Sequence, residues 1–240
     1  MADRRAAVYL LAGGRGMDRR RGPDPLISAA LGLSGADGRR SSRPSVAYVG
    51  AASGDNSVFR VWIAKTLKKA GAGAVTLAPL CGRRADPAKA TAVLEEADIV
   101  FVSGGDVEEG MRVLAATGMV ETLRSMSRKG KPFFGISAGS IMLARQWVRW
   151  SDPSDDSTAE LFPCLDIAPV HCDTHGEADG WEELKTLVRL APGRTVGHGI
   201  VSGTALGVGP DGALSALGGE IHRFARRSGE AVQVGSLDGR

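Results

Sequence analysis

Apolar and polar positions along the chain alternate between two periods. Short, nearly unbroken apolar runs at residues 7–11, 45–50, 74–77, 97–102 and 131–136 read as strands. Unbroken rather than alternating runs belong to strands covered on both faces, as in a parallel sheet. Between them lie stretches of helical spacing: a short one at 26–33, then 55–70, 86–96, one after Asp106, 120–129 and 140–150. In the second of these Phe59, Trp62, Ile63 and Leu67 form an apolar stripe, and Asp55, Asn56 and Ser57 offer N-caps. The alternation predicts an α/β fold with a doubly wound, mostly parallel sheet and helices on both faces. After Trp150 the pattern shifts to shorter strands at 166–170, 203–208, 213–217 and 220–224, with one helix at 181–189. There is no internal repeat and no linker-like break, so residues 1–240 read as a single domain.

The strand ends carry the chemistry. Gly135-Ile136-Ser137-Ala138-Gly139 stands between an apolar run and a helix, the context a nucleophile elbow requires. Such a turn strains the serine backbone and leaves no room for side chains beside it. Ser137 is therefore the candidate nucleophile, and the Ala138 amide a candidate oxyanion donor. Ser103-Gly104-Gly105-Asp106 also ends a strand and opens a helix. Its paired glycines allow a close backbone approach, so Gly105 is the candidate second donor, with Gly104 and Asp106 beside the substrate. The competing reading is a helix start capped by Asp106 or Ser103.

A serine nucleophile needs a base, and the chain has four histidines: His171, His175, His198 and His222. His171 closes the apolar segment 167–170 and so reads as a strand-end residue. His175 and His198 stand in glycine-containing, loop-like surroundings, and His222 alternates with apolar residues in a late strand. This reading selects His171 as base, with Asp173 near the substrate. Gly14-Arg15-Gly16 lacks the third glycine of a dinucleotide fingerprint, Gly130-Lys131 runs into Pro132, and no His/carboxylate spacing suggests a metal. No metal and no cofactor are expected.

Composition narrows the surroundings. No apolar run reaches the roughly 18 residues of a membrane span, and the opening segment lacks a signal-peptide cleavage pattern. The expectation is a cytoplasmic protein with no membrane partner. Cys81, Cys164 and Cys172 form no CxxC pair and read as small buried residues. The net charge of +3 is uneven: residues 1–43 hold nine arginines against four aspartates. Arg19, Arg20, Arg21, Arg39, Arg40 and Arg43 lack interleaved aromatics and sit among Gly, Ser and Pro. They read as a solvated loop, so no nucleic-acid partner is expected.

Taken together the motifs resemble those of the peptidase S51 family, which includes aspartyl dipeptidases and cyanophycinases and whose fold is similar to class I glutamine amidotransferase domains. The resemblance rests on the glycine pair after the first strand, Gly104-Gly105-Asp106, the elbow Gly135–Ser140, Pro169-Val170-His171, and the block Gly199–Leu206. It implies Ser137 as nucleophile, His171 as base, and Gly105 and Ala138 amides as oxyanion hole. It also implies a short peptide substrate and dipeptidase-like or exopeptidase-like activity; a homodimer is a further expectation. One position departs: where the family commonly places a glutamate as third triad member, this chain has Ser202. A hydroxyl can orient imidazole but cannot stabilise imidazolium as a carboxylate does. Three outcomes stay open: a Ser137–His171–Ser202 triad, a carboxylate recruited from elsewhere such as Asp173, or a weak or inactive relative that binds peptides or small molecules. The acidic residues among 152–160 and 172–183 would, if they border the site, favour a substrate with a free amine or a basic side chain. An α/β-hydrolase esterase shares the elbow but orders its acid and histidine differently. A reactive Cys172 would lack an elbow of its own.

Overall fold

The computed structural model describes residues 5–13, 22–32 and 43–239. Arg19, Arg20, Arg21, Arg39 and Arg40, with the Gly14-Arg15-Gly16 turn, lie outside the described residues. The five apolar runs fold as β1 (Val8–Leu11), β2 (Val46–Val49), β3 (Val75–Ala78), β4 (Ile99–Val102) and β5 (Phe133–Ile136). They pair in parallel, in the order β1-β5-β4-β2-β3.

Successive side chains on these strands enter two different cores, which is why the runs are apolar without interruption. Leu11, Tyr48, Phe101, Phe134 and Ile136 pack with Ile27 and Leu31 of α1 (Pro25–Leu31) and with Ile63 and Leu67 of α2 (Ser57–Lys69). Leu10, Val49, Val100, Val102 and Phe133 face the other side. There they meet Leu94 of α3 (Pro87–Glu96), Leu114 of α4 (Val107–Ala116), Leu123 of α5 (Met119–Arg128) and Ile141 of α6 (Ala138–Leu143). The fold is thus doubly wound, as the pattern predicts. Cap chemistry agrees locally: the Asn56 side chain accepts from Phe59 N at 3.0 Å, and Asp86 from Lys89 N at 2.9 Å.

The later part of the chain departs from expectation in several places, and strands at 159–163, 196–200 and 230–237 are additional to those expected. The helix foreseen at 140–150 stops at Leu143, and Gln146–Trp150 forms β6, antiparallel to β7 (Ala159–Pro163). The reason is a change of period. Trp147 turns to one side, edge-on to Phe162 at 6.4 Å, while Val148 packs on the other with Trp181 and Leu184. The strand foreseen at 166–170 is a connection instead, with Ile167, Ala168 and Val170 buried. Ile167 N and Ala168 N both donate to Leu143 O, at 3.0 and 2.9 Å, so these apolar residues close the end of α6. The strand proper is β8 (His171–Thr174), polar in composition yet buried throughout.

β8 pairs in parallel with β9 (Val196–Ile200) in a second sheet of order β13-β12-β9-β8. Its other members are β12 (Ile221–Arg227) and β13 (Glu230–Leu237). The helix α7 (Glu182–Leu190) covers this sheet through Leu184, Leu187 and Val188. Residues 201–204 then carry the chain into β10 (Ala205–Val208), which pairs antiparallel with β1, and β11 (Leu214–Leu217) completes the large sheet. Among the described residues no helix is long and apolar enough to cross a membrane.

Candidate active site

Ser137 follows the last residue of β5 with φ 53° and ψ −127°. A non-glycine residue in this region costs about 1–3 kcal/mol and persists only where its surroundings dictate it. Here they do. The Ser137 amide donates to Leu11 O at 2.9 Å, and the Ser140 hydroxyl donates to the same oxygen at 2.8 Å. A Cβ at Gly135 would stand 2.6 Å from Gly139 O, and one at Gly139 would overlap the Val102 carbonyl. The glycine spacing of the motif is therefore a packing requirement. It lets strand, turn and helix approach within backbone distance and holds Ser137 half-buried at the sheet edge.

The neighbouring turn after β4 closes one wall. A Cβ at Gly104 would meet Ser137 Cβ at 3.2 Å and Ser137 Oγ at 3.8 Å, so this turn lies directly against the hydroxyl. Gly105 adopts φ +145° and backs onto the Ala52 carbonyl so closely that no side chain fits. Ser103 N is held by Val49 O at 3.0 Å and Asp106 N by Ala52 O at 2.8 Å. The Asp106 carboxylate accepts from Glu109 N at 2.8 Å, which makes it the N-cap of α4.

β8 runs back along α6. Arg145 N, just past the end of α6, donates to Val170 O at 2.9 Å, and further along Cys172 Sγ lies 4.0 Å from Ser140 O. The strand therefore starts beside the far end of α6 and leaves toward the Ser137 end. His171 is its first residue and His175 the residue after its last. The register agrees: Thr174 pairs with Ile200, two residues before Ser202, whereas His171 pairs with Gly197. Three strand steps, about 10 Å, separate His171 from Thr174.

The expected meeting of His171 with Ser202 is thus corrected. The ring that reaches Ser202 belongs to His175, whose Nδ1 lies 3.0 Å from Ser202 Oγ. His175 has a left-handed backbone, φ 67°, and its side chain is exposed. The Ser202 loop is tied to β1: Ala12 N donates to Thr204 O at 3.1 Å and Gly203 N to Gly13 O at 2.5 Å. Leu11 pairs with Ile136 on one side and with Ala205 on the other. Ser137 and Ser202 consequently leave the same edge of the sheet, one on each flank of β1.

His171 is buried instead at the opposite end of β8. Its Nε2 lies 3.3 Å from Gln146 Oε1, and its carbonyl pairs with His198 Nδ1 at 3.2 Å. Burial, reinforced by the Arg145 charge, depresses its pKa to about 4. It lines a cleft with Arg194, His198 and Val208, beside the start of β9 and the end of β10. Asp173 neither touches His171 nor faces solvent. It is buried within β8, its Oδ1 accepts from Thr174 N at 2.7 Å, and burial with the nearby Glu183 charge raises its pKa to about 7. The Cys172 thiol is wholly buried and pushed well above its ordinary pKa, so it is a packing residue.

Sequence reasoning missed Glu177. Its carboxylate accepts a hydrogen bond from Ser202 N. Partial burial pushes the Glu177 pKa up. The Ser202 amide, its own amide, the Ser202 hydroxyl and the His175 charge outweigh that and leave it below the ordinary value. A signal was present: an acidic residue two positions after a histidine, in a chain lacking the carboxylate at 202.

Residues 36–215 match the model of peptidase family S51. Pyridoxal 5'-phosphate synthase subunit PdxT of Geobacillus sp. (strain WCH70) is 36% identical over 73 residues, covering 30% of this chain and 38% of that protein. Peptidase E of Streptomyces coelicolor (strain ATCC BAA-471 / A3(2) / M145) is 34% identical over 82 residues, 34% of this chain and 33% of that one. The chain thus spans less than two-fifths of the length of these curated relatives. Among solved structures, a peptidase from an acI-B1 Actinobacterium superposes with TM-score 0.68 at 15% identity, over 97% of this chain and 98% of that one. A peptidase E candidate from Listeria monocytogenes EGD-e gives TM-score 0.60 at 15% identity, over 88% and 98%. At such identity the likeness is one of fold, and it covers both sheets.

Proposed function

Given a chain that belongs to peptidase family S51, we propose that it is a serine hydrolase of short peptides, with Ser137 as nucleophile and His175 as general base. The observation that carries this reading is the shared edge. The strained Ser137 turn and the His175–Ser202 pair flank the end of β1, and β8 runs along α6 toward the serine.

His175 Nδ1 is engaged by Ser202, which leaves Nε2 for the Ser137 hydroxyl. As Ser137 Oγ attacks the scissile carbonyl carbon, its proton passes to Nε2. The carbonyl π pair moves onto oxygen, and the Ala138 and Gly105 amides receive the oxyanion. The imidazolium then protonates the departing amine nitrogen, the C–N bond breaks, and an acyl-Ser137 ester remains. Water, deprotonated by the same ring, attacks the ester and releases the acid and the free serine. Gly104 supports this by admitting the substrate carbonyl close to Oγ. Exposed Glu177 and Asp179, on the segment that follows His175, favour peptides with a free amino group or a basic residue near the scissile bond.

Fluorophosphonate labelling with peptide mapping, combined with turnover of a panel of Asp-X, Arg-X and neutral dipeptides, tests the reading. Labelling confined to Ser137, with turnover abolished in Ser137→Ala, is the expected result. Absence of both would leave a peptide-binding protein that keeps the fold. Preferential cleavage of Asp-X would overturn the specificity alone.

A further inference from the structure

The position that follows β9 offers His175 a hydroxyl rather than a carboxylate, yet a carboxylate stands behind that hydroxyl. We infer that Glu177 is a positioning residue for the Ser137–His175 pair, acting through Ser202, so that the chain runs Ser137–His175–Ser202–Glu177. The inference rests on the proposed catalytic pair and deepens it.

The geometry is specific. Ser202 is held by Glu177 through its backbone amide, which fixes the loop, while its hydroxyl lies 3.0 Å from His175 Nδ1. A serine hydroxyl has one proton to give and two lone pairs to receive. Nδ1–H can donate to Ser202 Oγ while the Glu177 carboxylate holds the same residue by its amide. Imidazole and carboxylate are thus joined through one residue, the hydroxyl orienting the ring and the carboxylate fixing the hydroxyl's place.

With its proton on Nδ1, donated to Ser202, the ring keeps Nε2 free for the Ser137 proton. The carboxylate also stands near enough to attract the imidazolium that forms during attack. Glu177 and His175 sit on one short loop between β8 and α7, so the charge is carried by the base's own segment. No proton need move from His175 to Glu177 at any step; the carboxylate acts by charge and by orientation.

Three variants and one rescue test this against the same Ser137 probe. Glu177→Gln keeps an oxygen acceptor for Ser202 N but removes the charge. It is expected to lower kcat and the fluorophosphonate labelling rate of Ser137 by ~10- to 100-fold, with KM within ~3-fold. Ser202→Ala, which cuts the hydroxyl link and spares the Glu177–backbone bond, is expected to fall by a similar factor. The double variant Ser202→Ala/Glu177→Gln should lose little more than either single change, because both break one chain. Ser202→Glu placed in Glu177→Gln should recover most of the lost rate, a result that a loop-folding role of Glu177 would not give. Wild-type rates in Glu177→Gln, with Ser137→Ala and His175→Ala dead, overturn the inference and leave the catalytic pair standing. No labelling of Ser137 in the unaltered protein overturns the pair and the inference with it.

Discussion

His171 and His175 bracket β8, and the strand assigns them opposite surroundings. His171 lies against Gln146 and the His198 ring, buried where a positive charge is disfavoured. His175 stands in solvent at the other end, hydrogen-bonded to Ser202 at the edge from which Ser137 emerges. One ring is built into the packing and kept neutral; the other stands in solvent at the serine's edge. A histidine's place along a parallel strand, rather than the apolarity of the residues before it, decides which role it takes, because sites in such sheets collect at the carboxyl ends.

The largest expected effect separates the two rings directly. His175→Ala should cut kcat/KM by ~10³-fold or more, as removal of a catalytic base does. His171→Gln should leave kcat/KM within ~3-fold, measured on the same peptide. The reverse pattern would break the comparison and restore His171 to the site.

The two sides of the edge also differ in how much they tolerate. Gly105→Ala would drive a methyl into the Ala52 carbonyl at φ +145°. It should cost ~1–3 kcal/mol in denaturant midpoint experiments and reduce turnover with it. Gly203, at φ +85°, has open space where a Cβ would go. Gly203→Ala should cost no more than ~1–2 kcal/mol, from backbone strain alone. Equal losses at the two sites would remove the distinction between a rigid serine turn and an accommodating base loop.

Two smaller effects appear in the pH dependence of stability. The folded pKa of His171, about 4, lies below the ordinary 6.5, so the unfolded chain binds the proton more tightly. Stability is therefore undiminished by this ring above about pH 6.5 and is eroded as pH falls toward 4. Denaturant titrations at pH 7 and pH 5 should show His171→Gln losing less than the unaltered protein, by about 1 kcal/mol. Asp173 acts in the opposite sense. Its folded pKa, about 7, exceeds the ordinary 3.8, so the folded state holds the proton and loses stability as pH rises through that window. Asp173→Asn should flatten the decline between pH 5 and pH 8, and an unchanged slope would mean that Asp173 ionises freely within β8.

Much of the large sheet was legible because its strands are buried on both faces and read as apolar runs. The serine turn was legible because its glycines record backbone contacts that allow no Cβ, at Gly135 and Gly139 alike. The partner of Ser202 was not, and the cause is local. Ile167, Ala168 and Val170 are apolar because they seal the end of α6, whereas His171-Cys172-Asp173-Thr174 forms the strand despite its polarity. Burial beneath α6 and α7 replaced the hydropathy signal that marks strands elsewhere. The helix foreseen through Trp150 failed for a related reason: Gln146–Trp150 is shaped by pairing with β7, a partner that local periodicity does not reveal.

Residues 201–204 are the stitch between the two sheets at this edge: β9 belongs to the small one, β10 to the large one, and Gly203 is fastened to Gly13 across the seam. Ser202 sits on that stitch, while Ser137 belongs wholly to the large sheet and His175 to the small one. The alignment of Ser137 with His175 is therefore a gauge of how the two sheets are set against each other. A load that slid one over the other would part the proposed pair before it unfolded either sheet, so the proposed activity would fall silent while both cores stayed whole.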